Sequence, residues 1–207
     1  MSIDKAYNDW SEKYDTVENK TRDLDKIATQ QTLSKYTFDT VLELGCGTGK
    51  NTAWLLERAQ VVIGVDFSEG MLAQARAKIK AANVQFLQAD LTKPWPIDNN
   101  FADLITCSLI LEHIADLSFI FQQAYAKLKN GGRLFICELH PFKQYKGSKA
   151  RFETETGVQE LEVYIHHVSE FVAPALNHGF KLAELQEWFD EDQPEEIPRL
   201  LSLVFEK

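Results

Sequence analysis

The stretch that most constrains the fold is an apolar run, Val41 to Leu44, that leads directly into alternating glycines at positions 45, 47 and 49. Glycine has no Cβ, so a backbone that carries it can turn tightly and approach a bound molecule closely. A strand that breaks into such a loop and then becomes helical is typical of proteins that bind nucleoside-containing molecules. Several families share this arrangement, and the loop alone predicts only this broad kind of ligand.

The chain has 207 residues, of which 44% are hydrophobic and 26% charged, which suits one domain with a buried core. Its net charge of -9 gives no general electrostatic attraction to nucleic acid or anionic membranes. The N-terminal residues lack the apolar core of a secretion signal, and no apolar run reaches the roughly 18 residues that a membrane span needs. We therefore expect a cytoplasmic protein without nucleic-acid or membrane partners.

The three cysteines, Cys46, Cys107 and Cys137, are widely spaced, each within an apolar strand or at its end. This spacing favours reduced thiols in the core over a disulfide framework or a zinc site. The histidines and acids also lack metal-ligand spacing on any single element, so we expect no metal.

Strands and helices alternate through the middle of the chain. Strands are predicted at 40–44, 61–65, 84–87, 101–108 and 133–139, and helices at 51–58, 70–82 and 116–128. Ser68 is a suitable N-cap for the second of these helices, and Asn130-Gly131-Gly132 is a strong signal for the end of the third. This alternation predicts an α/β fold with a parallel sheet.

The two ends of the chain depart from this alternation. Residues 1–36 carry aromatic and aliphatic side chains among many charges, which predicts one or two amphipathic helices. After residue 140, alternating runs at 151–154 and 159–164, joined through Gly157, predict an inserted hairpin, and a helix is expected at 169–178. Two last strands, at 181–189 and 200–205, are close in sequence and should pair antiparallel.

Two acids follow neighbouring predicted strands. Asp66 stands 21 positions beyond Gly45, where a carboxylate can accept hydrogen bonds from ribose hydroxyls. Asp90 ends the third strand, and ligands of parallel sheets collect at this edge. A dinucleotide-binding loop would have a further glycine at position 50, where this chain has Lys50. The site therefore departs from the NAD-binding pattern.

Five motifs occur in a fixed order: ELGCGTG at 43–49, GVDFSEGML at 64–72, ADL at 89–91, LILEH at 109–113 and LKNGGRL at 128–134. Together they resemble the class I S-adenosylmethionine-dependent methyltransferases over about residues 38–140. The resemblance implies a Rossmann-like three-layer sandwich, in which a seven-stranded, mostly parallel sheet ends in a C-terminal antiparallel β-hairpin. It also implies S-adenosylmethionine as the cofactor and S-adenosylhomocysteine as the product.

The resemblance assigns the amino-acid end of the cofactor to the glycine loop, with Glu43 near its ammonium group. Ser108, at the end of the fourth strand, would lie under the sulfonium. The full set of cofactor-binding residues that it implies is Glu43, Gly45, Cys46, Gly47, Gly49, Asp66, Phe67, Met71, Asp90, Leu91 and Ser108.

The adenosine end is assigned in the same way. Asp66 would bind both ribose hydroxyls, and Phe67 and Met71 would flank the adenine. Asp90 and the Leu91 amide would read the adenine edge. In the less favoured alternative, Phe67 and Met71 are simply core residues.

A general base is expected to assist if the acceptor is a hydroxyl or a protonated amine. His140 is the first candidate, because strand alternation places Glu138 on the same side, where its carboxylate would orient the imidazole. In the alternative, His140 only turns the chain out of the sheet. His113 follows the fourth strand and could reach the pocket, or it could be an ordinary polar residue in the first turn of a helix.

Two segments are candidates to cover the acceptor. Tyr7, Trp10 and Tyr14 share one helix face, although plain core packing would give the same stripe. The insert after the fifth strand offers Tyr145 and Phe152 as further contacts. We therefore divide the single predicted domain into an N-terminal helical lid (1–36), a cofactor-binding core (37–140), an inserted substrate cover (141–167) and a C-terminal helix and hairpin (168–207).

The fourth strand lacks the Asn/Asp-Pro-Pro-Tyr sequence of many amino-methylating enzymes, since Ser108-Leu109-Ile110-Leu111 stands there. This favours methyl transfer by in-line displacement to a small-molecule O, N or C nucleophile. The alternatives are a protein or RNA methyltransferase, a non-catalytic module that binds S-adenosylmethionine and, more remotely, a nicotinamide-dependent oxidoreductase. The sequence identifies neither the acceptor nor the oligomeric state.

Overall fold

The computed structural model describes residues 3–11, 14–148, 151–154, 157–160, 163–191 and 196–207. The strands are β1 (Thr40–Leu44), β2 (Val61–Asp66), β3 (Val84–Gln88), β4 (Ala102–Ser108), β5 (Leu128–Leu139), β6 (Arg151–Thr154), β7 (Gly157–Glu160), β8 (Lys181–Trp188) and β9 (Leu200–Glu206). The helices are α1 (Ile3–Trp10), α2 (Lys20–Leu33), α3 (Thr52–Leu56), α4 (Glu69–Lys78), α5 (Leu117–Lys127), α6 (Pro141–Tyr145) and α7 (Val168–Asn177), and Leu111–His113 forms a 3₁₀ turn.

Seven strands of the described chain form one sheet in the order β3-β2-β1-β4-β5-β9-β8. Strands β1 to β5 run parallel, whereas β9 lies antiparallel between β5 and β8. The predicted mostly parallel sheet with a C-terminal antiparallel hairpin is confirmed. Because β1 pairs with β2 on one side and β4 on the other, the strand order reverses at β1, and ligands bind outside the carboxyl ends of strands at such a reversal.

Both faces of the sheet are covered, and each has its own core. On one face, α5 and α7 pack with strand residues that include Leu42 and Ile105. On the other, α2 and α3 pack with strand residues that include Val41 and Leu104. Successive residues of a strand point to opposite faces, so burial on both sides explains why these strands are almost continuously apolar. The predicted three-layer sandwich is confirmed.

The helix ends follow local signals, with two differences from the prediction. Ser68 caps α4 as predicted, because its Oγ accepts a hydrogen bond from the Met71 amide at 3.1 Å. This helix ends at Lys78 rather than at residue 82. Strand β5 begins at Leu128 rather than at residue 133, because Leu128 already pairs with Ala102 of β4. The glycines predicted to separate α5 from this strand therefore lie inside it.

The insert after β5 contains the predicted antiparallel hairpin, formed by β6 and β7. Its second strand lies earlier than the expected 159–164, and Gly157 pairs with Thr154 instead of belonging to the turn. Helix α6 was not predicted. It forms because Nδ1 of His140 accepts a hydrogen bond from the Phe142 amide at 3.1 Å and so caps the helix, while proline occupies its first turn.

Two expectations about the chain as a whole concern its cysteines and its membrane spans. Cys46, Cys107 and Cys137 are all buried and free, which confirms the prediction of reduced core thiols. Within the described ranges, no helix has both the length and the apolar character that crossing a membrane requires.

Candidate active site

A cavity of about 370 Å³ lies at the carboxyl edge of the sheet, beyond the ends of β1, β2 and β4. The predicted site residues in its wall are Tyr7, Tyr14, Glu43, Gly45, Cys46, Gly47, Asp66, Phe67, Met71, Asp90, Leu91, Ser108 and His113. Five other predicted residues that the structure describes in full do not line the cavity: Trp10, Gly49, Glu138, His140 and Tyr145. Among the described residues, no three His, Cys, Asp or Glu side chains are grouped to hold a metal ion.

The three glycines after β1 have different physical roles. All have positive φ, +65° at Gly45, +52° at Gly47 and +85° at Gly49, which glycine adopts with little strain. A Cβ would come within 2.3 Å of Ile110 from Gly45 and within 2.7 Å of Ile79 from Gly49. At Gly47 it would meet no protein atom within 4 Å. Gly49 therefore serves the turn and helix packing, while Gly47 borders open space in the cavity wall.

The amides of this loop are used within the protein. The Cys46 amide donates to the Val65 carbonyl at 3.0 Å, and the Gly49 amide donates to the Cys46 carbonyl at 2.9 Å. The Gly47 amide donates to Oδ2 of Asp66 at 2.8 Å. Loops that bind phosphate leave such amides open to the anion. In this loop, those three donors are not available to an anionic ligand.

Asp66 ties the glycine loop to the start of α4. Besides the Gly47 amide, its carboxylate receives the Ser68 amide on Oδ1 at 2.9 Å. Burial raises the pKa of Asp66, against the opposing effect of the hydrogen bonds from Ser68, Gly47 and Phe67. A carboxylate offers about four lone pairs, so both oxygens can still accept hydroxyl donors from the cavity.

Asp90 also lines the cavity, but its carboxylate is more heavily engaged. Oδ1 accepts from the Thr92 amide at 3.0 Å and from the Thr92 hydroxyl at 2.6 Å, and Oδ2 pairs with Lys93 at 2.9 Å. Although burial raises it, these contacts bring the pKa of Asp90 below its usual value.

The two side chains assigned to the adenine differ in their exposure: Met71 is 1% exposed, whereas Phe67 is 44% exposed at the rim.

Glu43 is buried in the cavity wall, and its Oε2 accepts a hydrogen bond from the Thr52 hydroxyl at 2.5 Å. Burial raises the pKa of Glu43 to about 8, and the nearby Asp25 and Asp66 charges add to the rise. The carboxyl is therefore mostly protonated at neutral pH. The expected role of Glu43 beside the ammonium group of the cofactor stays a prediction.

Helix α1 packs against the core through hydrogen bonds of Tyr7 and Asn8. The Tyr7 hydroxyl lies 2.9 Å from Nε2 of His113, and the two rings meet edge to face at 5.6 Å. Oδ1 of Asn8 accepts hydrogen bonds from the Ser68 hydroxyl at 2.7 Å and the Gly70 amide at 2.8 Å. These contacts place Tyr7, one of the predicted N-terminal aromatic residues, in the cavity wall beside the turn that follows β4.

Sequence reasoning missed two charged residues of α2 that line the cavity. Arg22 is 8% exposed and Asp25 is 4% exposed. A signal was present, because both stand on the helix stripe that buries Ala28, Thr29 and Leu33 against the core. Charged residues on the buried face of an amphipathic helix need a partner or a function.

Ser108 and Leu109 form part of the cavity wall at the end of β4. Leu109 has a φ of +57°, unusual for a side chain of this size, and its amide donates to the Cys137 carbonyl at 2.9 Å. Such strained positions cluster at functional sites. The strain ends β4 sharply and leaves Ser108, Leu109 and Ile110 in the cavity wall.

The comparisons with known proteins agree with this geometry. The family described as "Methyltransferase domain" matches residues 42–136. Demethylmenaquinone methyltransferase of Lactococcus lactis subsp. lactis is 29% identical over 205 residues, which cover 93% of this chain and 76% of that protein. Ubiquinone biosynthesis O-methyltransferase of Coxiella burnetii is 31% identical over 156 residues, 70% of this chain and 64% of that protein. The family match and these relatives support a class I S-adenosylmethionine-dependent methyltransferase.

Solved structures share the fold of this methyltransferase over most of its length. The complex of DhpI with SAM and HEP superposes with a TM-score of 0.77 at 20% identity and covers 100% of both chains. An S-adenosylmethionine-dependent methyltransferase from Mesorhizobium loti superposes with a TM-score of 0.74 at 22% identity, over 89% of this chain and 98% of the other. At such identities the likeness concerns the fold.

The expectation that Glu138 orients His140 in the methyltransferase is wrong. Nε2 of His140 lies 3.1 Å from Oε1 of Glu187, and its Nδ1 caps α6. Burial lowers the pKa of His140, opposed by the nearby Glu187 carboxylate. The reason is that β5 ends at Leu139, so the strand alternation that would place His140 beside Glu138 stops one residue too early.

Glu138 supports the cavity wall from behind. Its Oε1 accepts hydrogen bonds from the amides of Ile110 and Leu111, each at 3.0 Å. Burial raises the pKa of Glu138 well above its usual value, against the opposing effect of these amides. The carboxyl therefore fixes the start of the 3₁₀ turn that carries His113.

The insert braces the same turn from outside the cavity. Nε2 of His166 lies 3.1 Å from the Leu111 carbonyl and 2.8 Å from the Ile114 carbonyl. Tyr145 is 50% exposed, and its hydroxyl lies 2.6 Å from Nδ1 of His167 rather than at the cavity. The side chain of Phe152 lies outside the described part of the chain. A role of the insert as a substrate cover stays a prediction.

Proposed function

We propose that this methyltransferase transfers the methyl group of S-adenosylmethionine to a small molecule, by in-line attack of an O, N or C nucleophile. The observation that carries the proposal is a single cavity that joins Asp66 and Asp90 to the Tyr7–His113 pair. As a lid, α1 would narrow the approach to this pair, which favours a small acceptor over a folded protein or an RNA.

The residues present fit an adenosine-containing cofactor. Asp66 keeps lone pairs for two hydroxyl donors, and Gly47 leaves open space where any other residue would place a Cβ. Phe67 at the rim and Met71 in the floor provide apolar surface on which an aromatic base would pack. Asp66 would hold the ribose, and Asp90 with Leu91 would face the base edge.

When bound, S-adenosylmethionine supplies an electrophilic methyl group on a sulfonium. The chain's own task is then to position the acceptor and take its proton. As the Tyr7 oxygen accepts a proton from the acceptor, the tyrosine's own proton passes to Nε2 of His113, 2.9 Å away. Burial raises the pKa of Tyr7 well above its usual value, so the relay needs His113 as the final proton acceptor. His113 ends as the imidazolium.

The acceptor side of the cavity combines apolar and polar groups. Ile110 and Ile114 lie in the wall with Tyr7 and His113. Such a wall suits a small compound with an apolar body and one ionisable group. The relatives from L. lactis and C. burnetii are named for demethylmenaquinone and for ubiquinone biosynthesis. We infer that the acceptor is a small ring compound with a hydroxyl group or an activated ring carbon.

The test is a labelling experiment. The enzyme is incubated with S-adenosylmethionine labelled in its methyl group and a cell extract separated into metabolite, RNA and protein fractions. We expect label in the metabolite fraction with the wild-type enzyme and with Asp98→Ala, an exposed control, but not with Asp66→Ala. Label in RNA or protein alone would overturn the proposal. Cofactor binding without any label transfer would indicate a binding module.

A further inference from the structure

The 3₁₀ turn after β4 carries a carboxyl that the reaction described above does not use. Glu112 stands between Leu111 and His113 in this turn, and it is not part of the cavity wall. Burial raises the pKa of Glu112 from 4.5 to about 7, against the opposing hydrogen bond from Gln144. Taking a carboxylate out of water is costly, so an acid in this position needs a partner or a function.

The insert after β5 holds Glu112 by its side chain and by its backbone. Oε2 of Glu112 accepts a hydrogen bond from Nε2 of Gln144 on α6 at 3.2 Å. The Glu112 carbonyl accepts the Tyr164 amide at 2.7 Å. Gln144 is itself buried, which restricts the positions that its amide group can take. The carboxyl is therefore fixed between the insert and the turn.

The charge of Glu112 acts on the pair of residues that the proposed proton relay uses. It contributes to the raised pKa of Tyr7 and to that of Glu138. His113 is the next residue of the same turn, and its ring meets that of Tyr7 at 5.6 Å. A negative charge at this place opposes a phenolate on Tyr7 and favours an imidazolium on His113. It therefore favours the direction in which the relay moves its protons.

The elements that surround Glu112 contribute titratable groups of a different kind. Helix α1 contributes Tyr7 and β5 contributes Glu138, and burial raises the pKa of each well above its usual value. Helix α6 contributes the uncharged Gln144, and the Nε2 of His166 faces backbone carbonyls of the turn. Among these described neighbours, Glu112 is the acid that becomes charged near neutral pH.

We propose that Glu112 is a positioning residue of the methyl transfer, which fixes the turn that carries His113 to the insert and provides the counter-charge for the imidazolium that His113 becomes. The inference rests on the proposed function, because it presupposes that the relay ends on His113. Glu112 itself takes no proton and touches no substrate. In this role, Gln144 and Tyr164 of the insert hold a charge behind the relay, which is a different task from covering the acceptor.

The test compares Glu112→Gln with the wild type at pH 6 and at pH 8. Glutamine keeps an oxygen that can accept the hydrogen bond from Gln144 but cannot become charged. Glu112→Ala removes both the charge and the contact. Glu57→Gln, with 71% of the side chain exposed, is the control for the same chemical change.

Two quantities are measured for each protein. The first is the initial rate at which label passes from S-adenosylmethionine into the metabolite fraction of a cell extract, at a fixed dilution of that fraction. The second is the affinity for S-adenosylhomocysteine, measured by calorimetry, which also shows whether the cofactor site of each variant is folded.

At pH 6 the wild-type carboxyl is mostly protonated, so we expect Glu112→Gln to transfer label at a rate within about twofold of the wild type. At pH 8 the wild-type carboxyl is mostly ionised, and the variant should be roughly 10-fold slower. The affinity for S-adenosylhomocysteine should stay within about twofold at both pH values. Glu112→Ala should be slower than Glu112→Gln at both, because it also releases the turn from Gln144. Glu57→Gln should match the wild type.

A ratio of wild-type to Glu112→Gln rates that is the same at pH 6 and pH 8 would overturn the inference, because a residue that only supports the fold lowers both rates alike. A lower affinity of Glu112→Gln for S-adenosylhomocysteine, in proportion to its lower rate, would overturn it as well. His113→Gln at the wild-type rate would contradict the relay. A wild-type enzyme that puts no label into the metabolite fraction would instead contradict the proposed function, so these failures can be told apart.

Discussion

The Tyr7 hydroxyl lies 2.9 Å from Nε2 of His113 and joins helix α1 to the turn after β4 across 106 positions of the chain. Both residues line the cavity, and Glu138 fixes the start of that turn through two backbone amides. His113 thus lies in the cavity wall, where we had expected His140. The reason is that Glu138 holds the backbone at the start of the turn that carries His113.

Tyr7→Phe should lower turnover and leave cofactor binding intact. The variant keeps the ring that packs edge to face on His113 but loses the hydroxyl, so an acceptor proton has no relay to the imidazole. We expect turnover of a hydroxyl acceptor to fall by about 10² to 10⁴, with the affinity for S-adenosylhomocysteine within about twofold of the wild type. The measurement is the turnover rate of the variant and of the wild type across a range of pH. An unchanged rate would remove Tyr7 from the proposed mechanism.

Asp66→Ala should weaken the binding of S-adenosylhomocysteine. We expect a loss of about 1.5–3 kcal/mol for a hydrogen bond to a charged group, and the loop should loosen because the Gly47 and Ser68 amides lose their acceptor. Calorimetry measures the affinity, and urea unfolding shows whether the fold survives. Asp98→Ala, at an exposed position, serves as the matched control. Binding equal to that of the wild type would exclude Asp66 from the ligand site.

The stability of the protein should depend on the protonation of Glu43. Its pKa rises from 4.5 to about 8 on folding, so between these values the native state holds a proton that the unfolded chain has released. This proton's contribution to the free energy of unfolding is fully present below about pH 4.5. It is lost as the pH rises through about 8, by up to about 1.4 kcal/mol per pH unit.

Glu43→Gln removes this dependence. Relative to the wild type, the variant should gain about 2–3 kcal/mol between pH 6 and pH 8. Urea unfolding at both pH values measures the difference, in which the other titrating groups cancel. Glu57→Gln, with 71% of the side chain exposed, should show no relative gain. A parallel pH dependence of Glu43→Gln and the wild type would contradict the raised pKa.

The central fold and the cofactor half of the cavity were predictable because their signals are local. A short stretch of sequence is enough to predict each of three features: the apolar strands buried on both faces, the positive φ at Gly45 and Gly47, and the acid that ends β2. Parallel strands then bring their carboxyl ends to one edge, which converts separate motifs into one site. The Ser68 cap was predictable for the same reason.

The rest of the cavity wall depended on contacts between distant segments, which short patterns do not contain. Arg22 and Asp25 read as ordinary charges of an amphipathic helix until the packing of α2 places them in the cavity wall. Glu138 and His140 do alternate correctly in sequence, but the chain leaves β5 at Leu139 and turns His140 into the cap of α6. A one-residue change in where a strand ends reverses such a prediction.

Replacing Glu138 distinguishes a structural carboxyl from a catalytic one. Glu138→Leu leaves the Ile110 and Leu111 amides without their acceptor, and we expect a loss of about 2–5 kcal/mol in the free energy of unfolding. Glu138→Gln keeps an oxygen that accepts both amides, so its stability and turnover should stay close to the wild type. A stable Gln variant with turnover reduced by orders of magnitude would restore a catalytic role.

The contact between Asn8 and the start of α4 should control how long the cofactor product stays bound. Oδ1 of Asn8 receives the Gly70 amide and the Ser68 hydroxyl, so Asn8→Ala removes a cap-like contact of about 0.5–2 kcal/mol that holds the lid closed. The dissociation rate of S-adenosylhomocysteine, measured by stopped flow, should rise by about 2- to 30-fold, the factor to which that free energy corresponds. Asn99→Ala, at an exposed position, should leave this rate unchanged. If Asn8→Ala released the ligand no faster than the control, α1 would not be the gate, and the insert after β5 would become the remaining candidate for closing the site.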